Sequence, residues 1–367
     1  MKAFCLKKHF KDAVIMCEKV TGKNLTLPVL GNIIISGKDG NLKFIATNLE
    51  IGLEIDAPAK IEEEGKVAVP ANIISSFLSN LSFDDNISIE SKNNNLSLAT
   101  TNTSTLIKGQ PFDDFPSLPK IKNENRIKIP ARDFVSGLKS VVYAASLLNI
   151  KPEISSVYIN SNNKDALIFA ATDSFRLAEK KINHPFNGFE NILIPLKSVS
   201  EILRIFDGKE GDMDIIPDKN QILLSMDNIK FISRITEGVF PDYHQIIPTK
   251  FTTDVVVNKD LFLNSLKMAS VFSGKLNEVN LITGSDNKSL TINTVNSDSG
   301  EHITNIPANI TGEELKMSFN HKYIFDCLQQ IQSPEIILRF SGDGKPLVIV
   351  GINDDSFRYL VMPMNNL

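Results

Sequence analysis

The chain has 367 residues, a formal net charge of −4 at pH 7, 42% apolar residues and 22% charged residues. This composition excludes a chain that is disordered throughout, and the length suits two or three domains of roughly 100–200 residues each. The sequence contains no apolar run of about 18 residues, so it predicts no membrane span. The N-terminus also has no apolar segment of signal-peptide length. Cys5, Cys17 and Cys327 are too scattered for a disulfide framework or a metal cluster, so we expect a protein of the reducing cytosol.

Three segments, which begin at residues 1, 125 and 252, share one pattern. Each contains a short alternating strand, a polar break and then apolar residues at helical spacing. The aromatic anchors of these helices, Phe10, Phe134 and Phe262, are 124 and 128 residues apart. Repetition at a nearly fixed period predicts repeated structural units.

A second pattern recurs further along each unit, where a strand ends at a proline or polar break and an amphipathic helix follows. Its three copies place Pro70, Pro195 and Asn320 at intervals of 125 residues. Alternating runs bounded by Gly, Asn and Asp pairs lie between the helices and indicate hairpins. The sequence therefore predicts three α+β repeats with a period near 125 residues.

The charges are unevenly distributed along these repeats. Thirteen positive and six negative side chains lie on the six predicted helices, at residues 7–23, 71–81, 132–146, 196–206, 259–275 and 320–331. The rest of the chain therefore carries a net charge of −11. Lysines favour helix surfaces in any protein, but helices usually carry glutamates as freely. Basic helices beside acidic strands and loops predict contact with the phosphates of a polyanion, without base reading.

The stretch "ATDSFRL" at residues 171–177 places a carboxylate, a hydroxyl, an aromatic ring and a guanidinium side by side after an apolar strand. Thr172 follows Thr47 by 125 residues, and the equivalent stretch of the first repeat, "ATNLEIG", carries no arginine. The backbone is thus expected to be repeated, whereas the chemistry belongs to the second copy alone. This difference favours a binding role over a scaffold role for the turn.

Seven stretches of the chain stand out in order along it: "TLPVLGNIII" (26–35), "VAVPA" (67–71), "DDFPSLP" (113–119), "ATDSFRLA" (171–178), "EGVFPDYHQIIP" (237–248), "FNHKYIFDCL" (319–328) and "YLVMPM" (359–364). With these stretches the sequence resembles the bacterial β sliding clamps, the processivity subunits of DNA polymerase III. The resemblance spans essentially the whole chain, and the ending "VMPM" close to the last residue makes it specific.

The resemblance implies an α+β fold of three repeated domains of the DNA-clamp type, at residues 1–120, 121–248 and 249–367. Helices would line a pore around duplex DNA, antiparallel sheets would lie outside, and two chains would form a ring-shaped homodimer. The protein would be a non-catalytic, cytoplasmic subunit without a cofactor or metal. Its partners would be double-stranded DNA, the DNA polymerase III alpha subunit, the clamp loader and other proteins with a clamp-binding motif, and it would bind no membrane.

The resemblance also implies a pocket that receives a short peptide from these partners. Carried onto this sequence, the pocket comprises Ile154, Thr172, Ser174, Phe175, Arg176, Leu177, Pro241, Gln245, Ile246, Asn320, Tyr323, Gly344, Pro346, Leu360, Met362, Pro363 and Met364. The family's turn commonly reads Gly-His where this chain has Ser174-Phe175, and a basic residue is common at Gln245. Because no arginine follows Met364 either, we expect a less basic and more apolar pocket. Arg176 is expected at its rim, where it could bind a peptide carbonyl or carboxylate.

Two further sets of residues are expected at the pore and between the chains. The expected DNA-facing charges are Lys23, Lys139, Lys197, Arg204 and Lys267. Val271 and Phe272 resemble the family's apolar interface pair. Their partners on the other chain are expected near Thr105 and Ile107, on an edge strand that the contact would cover.

Two other classes of protein fit the sequence less well. A hydrolase could use Ser174 or Asp173, but no histidine lies near them in the sequence, and "SGDGKP" (341–346) lacks the spacing of a phosphate-binding loop. A helix-turn-helix regulator would need several base-reading Arg, Asn or Gln residues on one helix face. None of the predicted helices offers such a face.

Overall fold

The structure, a computed structural model, describes residues 1–22, 27–81, 86–119, 121, 126–148, 150–161, 165–183, 191–284 and 287–364. The chain forms two compact units, one of residues 1–135 and 197–235 and the other of residues 136–196 and 236–367. None of the described helices is long and apolar enough to cross a membrane. Among the same residues, no group of three or more His, Cys, Asp or Glu side chains could hold a metal ion.

The first repeat begins with a strand and a helix, as its sequence pattern predicts. Its elements are β1 (Lys2–Leu6), α1 (Lys7–Val20), β2 (Asn32–Lys38), β3 (Asn41–Thr47), β4 (Ile51–Pro58), β5 (Lys60–Glu63), β6 (Gly65–Pro70), α2 (Ala71–Asn80), β7 (Asn86–Lys92), β8 (Asn95–Ala99) and β9 (Ser104–Ile107). The aromatic anchor Phe10 is fully buried and meets Phe44 edge to face, with ring centroids 5.3 Å apart. A 3-10 turn, Pro28–Gly31, leads into β2.

The central repeat follows the same order. Its elements are β10 (Ile127–Pro130), α3 (Ala131–Val141), β11 (Ser156–Asn160), β12 (Ala166–Thr172), β13 (Arg176–Asn183), β14 (Ile192–Pro195), α4 (Leu196–Phe206), β15 (Asp212–Asp218), β16 (Gln221–Met226) and β17 (Ile229–Arg234). Helix α4 has the predicted limits, but α3 ends five residues before the predicted end and continues only as a 3-10 turn, Val142–Ala144. Near that end, the Ser140 hydroxyl donates to the Ser136 carbonyl at 2.8 Å, a type of bond that competes with the helix ladder.

The third repeat completes the series. Its elements are β18 (Thr253–Asn258), α5 (Lys259–Ser270), β19 (Glu278–Thr283), β20 (Ser289–Asn296), β21 (Gly300–Gly312), β22 (Lys316–Asn320), α6 (His321–Leu328), β23 (Glu335–Phe340), β24 (Leu347–Gly351) and β25 (Phe357–Val361). Helix α5 also ends five residues before the predicted end. The hydroxyls of Ser270 and Ser273 donate to helix carbonyls there, and Gly274 adopts a φ of 61°, so the chain leaves the helix.

The described strands form three sheets of antiparallel pairs. The first unit contains a five-stranded sheet of order β5-β1-β7-β8-β9 and an eight-stranded sheet of order β10-β15-β16-β17-β4-β3-β2-β6. The second unit contains a twelve-stranded sheet of order β14-β11-β12-β13-β25-β24-β23-β18-β21-β20-β19-β22. The alternation of buried and exposed residues along strands such as β7 and β20 is typical of sheets with one face in the core.

Two strand pairs join one repeat to the next. Strand β4 of the first repeat pairs with β17 of the central repeat, and β13 of the central repeat pairs with β25 of the third. The eight-stranded and the twelve-stranded sheets therefore each continue from one repeat into its neighbour, so the compact units cut across the repeats. The domain limits predicted at residues 120 and 248 follow the sequence repeats and not the compact units, and they stay a prediction.

Helix α3 lies unusually close to the sheet at Gly137. A Cβ atom added to Gly137 would lie 2.4 Å from Cε2 of Phe169, a fully buried residue of β12. Glycine inside a helix costs stability because it loses more backbone freedom than other residues. The close approach of the aromatic ring explains why this position tolerates no side chain.

We expect Gly137→Ala to lower the free energy of unfolding by about 1–3 kcal/mol, because the fully buried Phe169 ring would have to move out of its packed position. Urea denaturation followed by circular dichroism measures this change. Gly31→Ala is the control, because its added Cβ would meet only the Gly22 carbonyl at 3.8 Å among the described residues. A Gly137→Ala variant as stable as the Gly31→Ala variant would contradict the close approach.

Candidate functional site

The turn between β12 and β13 is closed by its own side chains. Thr172 Oγ1 donates to the Arg176 carbonyl at 2.7 Å and accepts from the N–H of Ser174 at 3.1 Å. Asp173 Oδ1 accepts from the N–H groups of Phe175 and Arg176, both at 3.0 Å. Ser174 has a φ of 77°, in the left-handed region that few residues other than glycine adopt. This geometry leaves the Phe175 side chain 61% exposed.

The turn between β3 and β4 has the same bonds, 125 residues earlier in the chain. Thr47 Oγ1 donates to the Ile51 carbonyl at 2.7 Å and accepts from the N–H of Leu49 at 3.1 Å. Asn48 Oδ1 accepts from the N–H groups of Glu50 and Ile51 at 3.0 and 2.8 Å. Leu49 has a φ of 76°, close to that of Ser174. The two turns are therefore structurally equivalent, as the spacing of the repeats predicts.

The Arg176 side chain is only 11% exposed and lies between two carboxylates. Its Nε donates to Asp173 Oδ2 at 2.9 Å, and its Nη1 donates to Asp326 Oδ2 at 2.6 Å. The guanidinium carbon lies 4.4 Å from the centre of the Tyr323 ring and 5.8 Å from that of Tyr143, within cation–π distance. Arg176 thus connects the turn to helix α6, which carries both Tyr323 and Asp326.

Burial shifts the pKa values of the groups around this arginine. Desolvation opposes the charge of Arg176, but its interactions with Tyr359 and Asp326 outweigh this effect and raise the pKa of Arg176 above its ordinary value. Desolvation also raises the pKa of the Tyr359 hydroxyl and of the Cys327 thiol well above their ordinary values. Arg176 therefore stays charged at neutral pH, while the hydroxyl and the thiol stay protonated.

Residues 362–364, which we call the tail, connect the turn to the third repeat. The N–H of Met362 donates to the Phe175 carbonyl at 2.8 Å, and the N–H of Met364 donates to the Ser318 carbonyl at 2.8 Å. The preceding strand β25 places Leu360 opposite Leu177 of β13. The last strand and the tail therefore hold the two sequence-distant halves of the predicted pocket together.

Nine of the predicted pocket residues line one shallow depression, which we call the groove. They are Thr172, Ser174, Phe175, Arg176, Leu177, Ile246, Pro346, Leu360 and Met362. The groove has a volume of about 30 Å³ and a mostly apolar lining, so it has room for about one water molecule. The Phe175 ring and the Met362 side chain are both exposed at its edge, and methionine adapts easily to other apolar groups.

The other predicted pocket residues are described by the structure but do not belong to the lining of the groove. They are Ile154, Pro241, Gln245, Asn320, Tyr323, Gly344, Pro363 and Met364. Asn320 caps helix α6, since its side chain accepts from the N–H of Lys322 at 3.0 Å. Gln245 Nε2 donates to Asp242 Oδ2 at 2.7 Å, near the 3-10 turn that contributes Ile246 to the groove.

Sequence reasoning missed Asp326 as part of this site. The residue lies 150 positions after Arg176, and no motif connects the two in the sequence. The repeat spacing offered a signal, because both residues differ from their equivalents one repeat earlier. Asp326 follows Glu201 of helix α4 by 125 residues, and Arg176 follows Ile51 by the same interval.

The expected DNA-facing residues lie on three helices. Lys139, Lys197, Arg204 and Lys267 are exposed on α3, α4 and α5, whereas Lys23 lies outside the described residues. Arg204 Nη1 forms an ion pair with Glu201 Oε1 at 2.7 Å, so part of its charge is compensated. Helix α2, with the sequence ANIISSFLSN, carries no charged side chain. The positive charge of the helices is therefore unevenly shared among the repeats.

The first set of expected interface residues lies on β9, the last strand of the five-stranded sheet. Thr105 is partly exposed, but Ile107, which was expected at the interface, is buried in the core. Leu106 is the apolar side chain that β9 offers to solvent, and it is 61% exposed. Successive residues of a strand point to opposite faces, so the exposed apolar side chain of β9 lies one position from the expected Ile107.

The second set of expected interface residues follows helix α5. Val271 is exposed, and Phe272 is half-buried, with its ring stacked on that of His302 at a centroid distance of 5.8 Å. His302 lies in the first part of β21, whose residues 300–307 pair with β20. Strand β18 pairs only with residues 308–312 of β21, so the other edge of residues 300–307 is not covered by any described strand. The exposed Ile303 and Val295 also lie in this region.

Comparison with known proteins covers the chain from end to end. The N-terminal, central and C-terminal domains of the DNA polymerase III beta subunit match residues 1–119, 128–242 and 244–365. The beta sliding clamp of Bacillus subtilis is 28% identical over 378 residues, which cover 99% of each chain, and that of Staphylococcus aureus is 28% identical over 379 residues with the same coverage.

Solved structures agree with the sequence comparisons. The DNA polymerase sliding clamp of Bacillus subtilis has a TM-score of 0.93 at 28% identity, and the DNA polymerase III beta subunit of Thermotoga maritima has a TM-score of 0.94 at 25% identity; both matches cover 100% of each chain. The chain belongs to the DNA polymerase III beta subunit family, the beta sliding clamps. It is the non-catalytic subunit that confers processivity on the polymerase. The predicted family and its α+β fold of three clamp domains are therefore confirmed.

Proposed function

We propose that this clamp works in the cytoplasm as a ring-shaped homodimer, which encircles double-stranded DNA without sequence specificity. The groove receives short peptides from the polymerase III alpha subunit, the clamp loader and other proteins with a clamp-binding motif. Repeats limited to residues 1–120, 121–248 and 249–367 would serve as its domains. One observation carries the proposal: the Met362 N–H binds the Phe175 carbonyl, so the C-terminal tail and the central turn form one apolar site.

The groove suits an apolar anchor of a peptide better than a charged one. Its lining is mostly apolar, and its one charged residue, Arg176, is already bound to two carboxylates. A guanidinium that is paired in this way gives little to an additional anion. Specificity would therefore depend on the fit of aliphatic or aromatic side chains against Phe175 and Met362, and a linear peptide in such a small site binds weakly and reversibly.

The DNA contacts would be numerous and individually weak. Lys139, Lys197, Arg204 and Lys267 are exposed on separate helices and form no tight arginine cluster of the kind that reads bases. Contacts with phosphates depend little on sequence, so no position along the duplex is strongly preferred. A protein that must slide along DNA requires this property.

The first prediction concerns the groove. We expect Phe175→Ala, and separately deletion of residues 362–367, to weaken binding of a fluorescein-labelled polymerase-tail peptide at least tenfold, because each removes a wall of the groove. Fluorescence anisotropy measures the affinity, and circular dichroism and solution mass check the fold and the dimer. Glu50→Ala is the matched control, since Glu50 occupies the place of Phe175 in the equivalent turn. Peptide binding that survives the deletion would refute this assignment.

The second prediction concerns the helices. Replacing Lys139, Lys197, Arg204 and Lys267 by glutamine should shorten retention on circular DNA and flatten the dependence of binding on salt, by about 0.9 in slope for each lost phosphate contact. Surface-plasmon measurements on DNA with blocked ends test both effects. The control replaces four exposed lysines outside the helices, Lys38, Lys92, Lys219 and Lys316, with the same change in net charge. Equal losses in the two variants would show that only net charge matters.

The third prediction concerns assembly. Val271→Ala combined with Phe272→Glu should give monomers of 40.7 kDa at micromolar concentration, and Leu106→Glu should do the same from the other edge. A charge at a covered apolar contact has no partner and cannot be hydrated, so the interface would not form. Light scattering coupled to size exclusion measures the mass. Leu147→Glu is the control, because Leu147 is an exposed apolar residue that belongs neither to β9 nor to the segment after α5. Dimers in the first two variants would place the interface elsewhere.

A further inference from the structure

The guanidinium group of Arg176 forms its bonds with side chains of this protein, so little of it is left for a peptide. Its side chain is nearly buried, its Nε is bound to Asp173 and its Nη1 to Asp326. The guanidinium carbon lies over the Tyr323 ring, 4.4 Å from its centre. Such an arginine is a poor ligand for a peptide, but it forms a rigid connection between the elements that carry its partners.

The equivalent turn of the first repeat shows that the turn itself does not need an arginine. Both turns are closed by the same threonine and Asx bonds, although Ile51 stands where Arg176 stands in the second copy. The function of Arg176 must therefore lie in what it reaches beyond the turn. What it reaches is helix α6, through Asp326 and Tyr323.

The residues that contact Arg176 are also replaced at the equivalent positions one repeat earlier. Counting back 125 residues, the places of Tyr323 and Asp326 in helix α4 are taken by Ser198 and Glu201. Ser198 is buried, and Glu201 binds Arg204 of its own helix at 2.7 Å instead of reaching a neighbouring turn. The arginine, the aromatic ring and the aspartate thus occur as a set where the groove occurs, and the set is missing from the other copy.

We propose that Asp326 is a positioning residue of the peptide-binding groove, which fixes Arg176 and thereby holds the turn and the tail in place against helix α6. The connection runs from Asp326 to Arg176, through the turn to the Phe175 carbonyl, and from there to the Met362 N–H. A second hydrogen bond joins the last strand to helix α6, because the Tyr359 hydroxyl of β25 donates to the Tyr323 carbonyl at 2.8 Å. This inference rests on the proposed function of the groove.

Loss of the aspartate would act at a distance from the peptide. Asp173 belongs to the same turn as Arg176, so its bond to Nε cannot fix the turn relative to α6. Without Asp326, the nearly buried guanidinium loses its shorter charged bond, and the arginine can turn toward solvent. Phe175 and Met362 would then sample positions in which the groove is open or collapsed.

The ion pair can be observed without any peptide. In the full-length protein, the Nη–H groups of Arg176, whose Nη1 binds Asp326, are assigned in nitrogen-15 spectra by their absence from Arg176→Met and should exchange slowly with water. Asp326→Asn should speed this exchange at least tenfold, whereas Glu201→Gln, the change at the equivalent place in α4, should leave it unaltered. An Arg176 signal that does not respond to Asp326→Asn would overturn the proposal.

Peptide affinity gives the second test, with the same labelled polymerase-tail peptide. We expect Asp326→Asn to weaken binding roughly fivefold and Arg176→Met roughly tenfold, and the double variant to be no weaker than Arg176→Met alone, because residues in one network are not additive. The losses should be the same for a peptide whose carboxylates are replaced by amides. Glu201→Gln should bind like the unmodified protein.

The outcomes separate this proposal from the function on which it rests. Unchanged affinity in Asp326→Asn, or losses that multiply in the double variant, would overturn the positioning role while the groove remains a peptide site. A loss that depends on the peptide's carboxylates would assign Arg176 or Asp326 a direct contact and would equally overturn it. Peptide binding that persists without residues 362–367 would refute the groove itself.

Discussion

The pairing of β13 with β25 is the interaction on which the second compact unit depends. It places Leu177 opposite Leu360 and so brings the turn and the tail, which are nearly 190 residues apart in sequence, to one end of a strand pair. The segment between β17 and β18, which joins the central repeat to the third, packs on this strand pair through Phe240 and Tyr243. The Tyr243 hydroxyl donates to Glu179 of β13 at 2.6 Å. The groove is therefore a product of sheet formation, and its two halves cannot separate unless backbone hydrogen bonds break.

A buried charge sets a second constraint on this site. An arginine that loses its hydration must recover that energy from close carboxylates, and the balance is often near zero or unfavourable for stability. What the Arg176 network supplies is a single arrangement of groups, because the planar guanidinium meets its two carboxylates and the Tyr323 ring in only one orientation. The first repeat has an isoleucine, Ile51, at the same place in its turn.

The sequence predicted those features that local patterns determine. Repeat spacing located the equivalent turns, and the amphipathic pattern gave the start of each helix to within a residue, because apolar periodicity and breaks at Pro70, Pro195 and Asn320 are local. The ends of α3 and α5 were wrong, since serine hydroxyls that bind helix carbonyls compete with the ladder there. The sequence did not show which side chain of β9 faces solvent, for lack of strand register, and it did not show the contact of Asp326 with Arg176 because only the folded sheet brings α6 beside the turn.

The strand pairs that join neighbouring repeats also decide how this chain can be divided. A fragment cut at the end of the first repeat would keep β4 but lose β17, and it would expose a long row of unpaired amide and carbonyl groups. Such an edge recruits other strands, so the isolated fragment would aggregate or misfold instead of behaving as an autonomous domain. The units that repeat in the sequence are thus not the units that fold cooperatively, and unfolding should proceed by the two compact units, each of which contains a sheet with strands of two repeats.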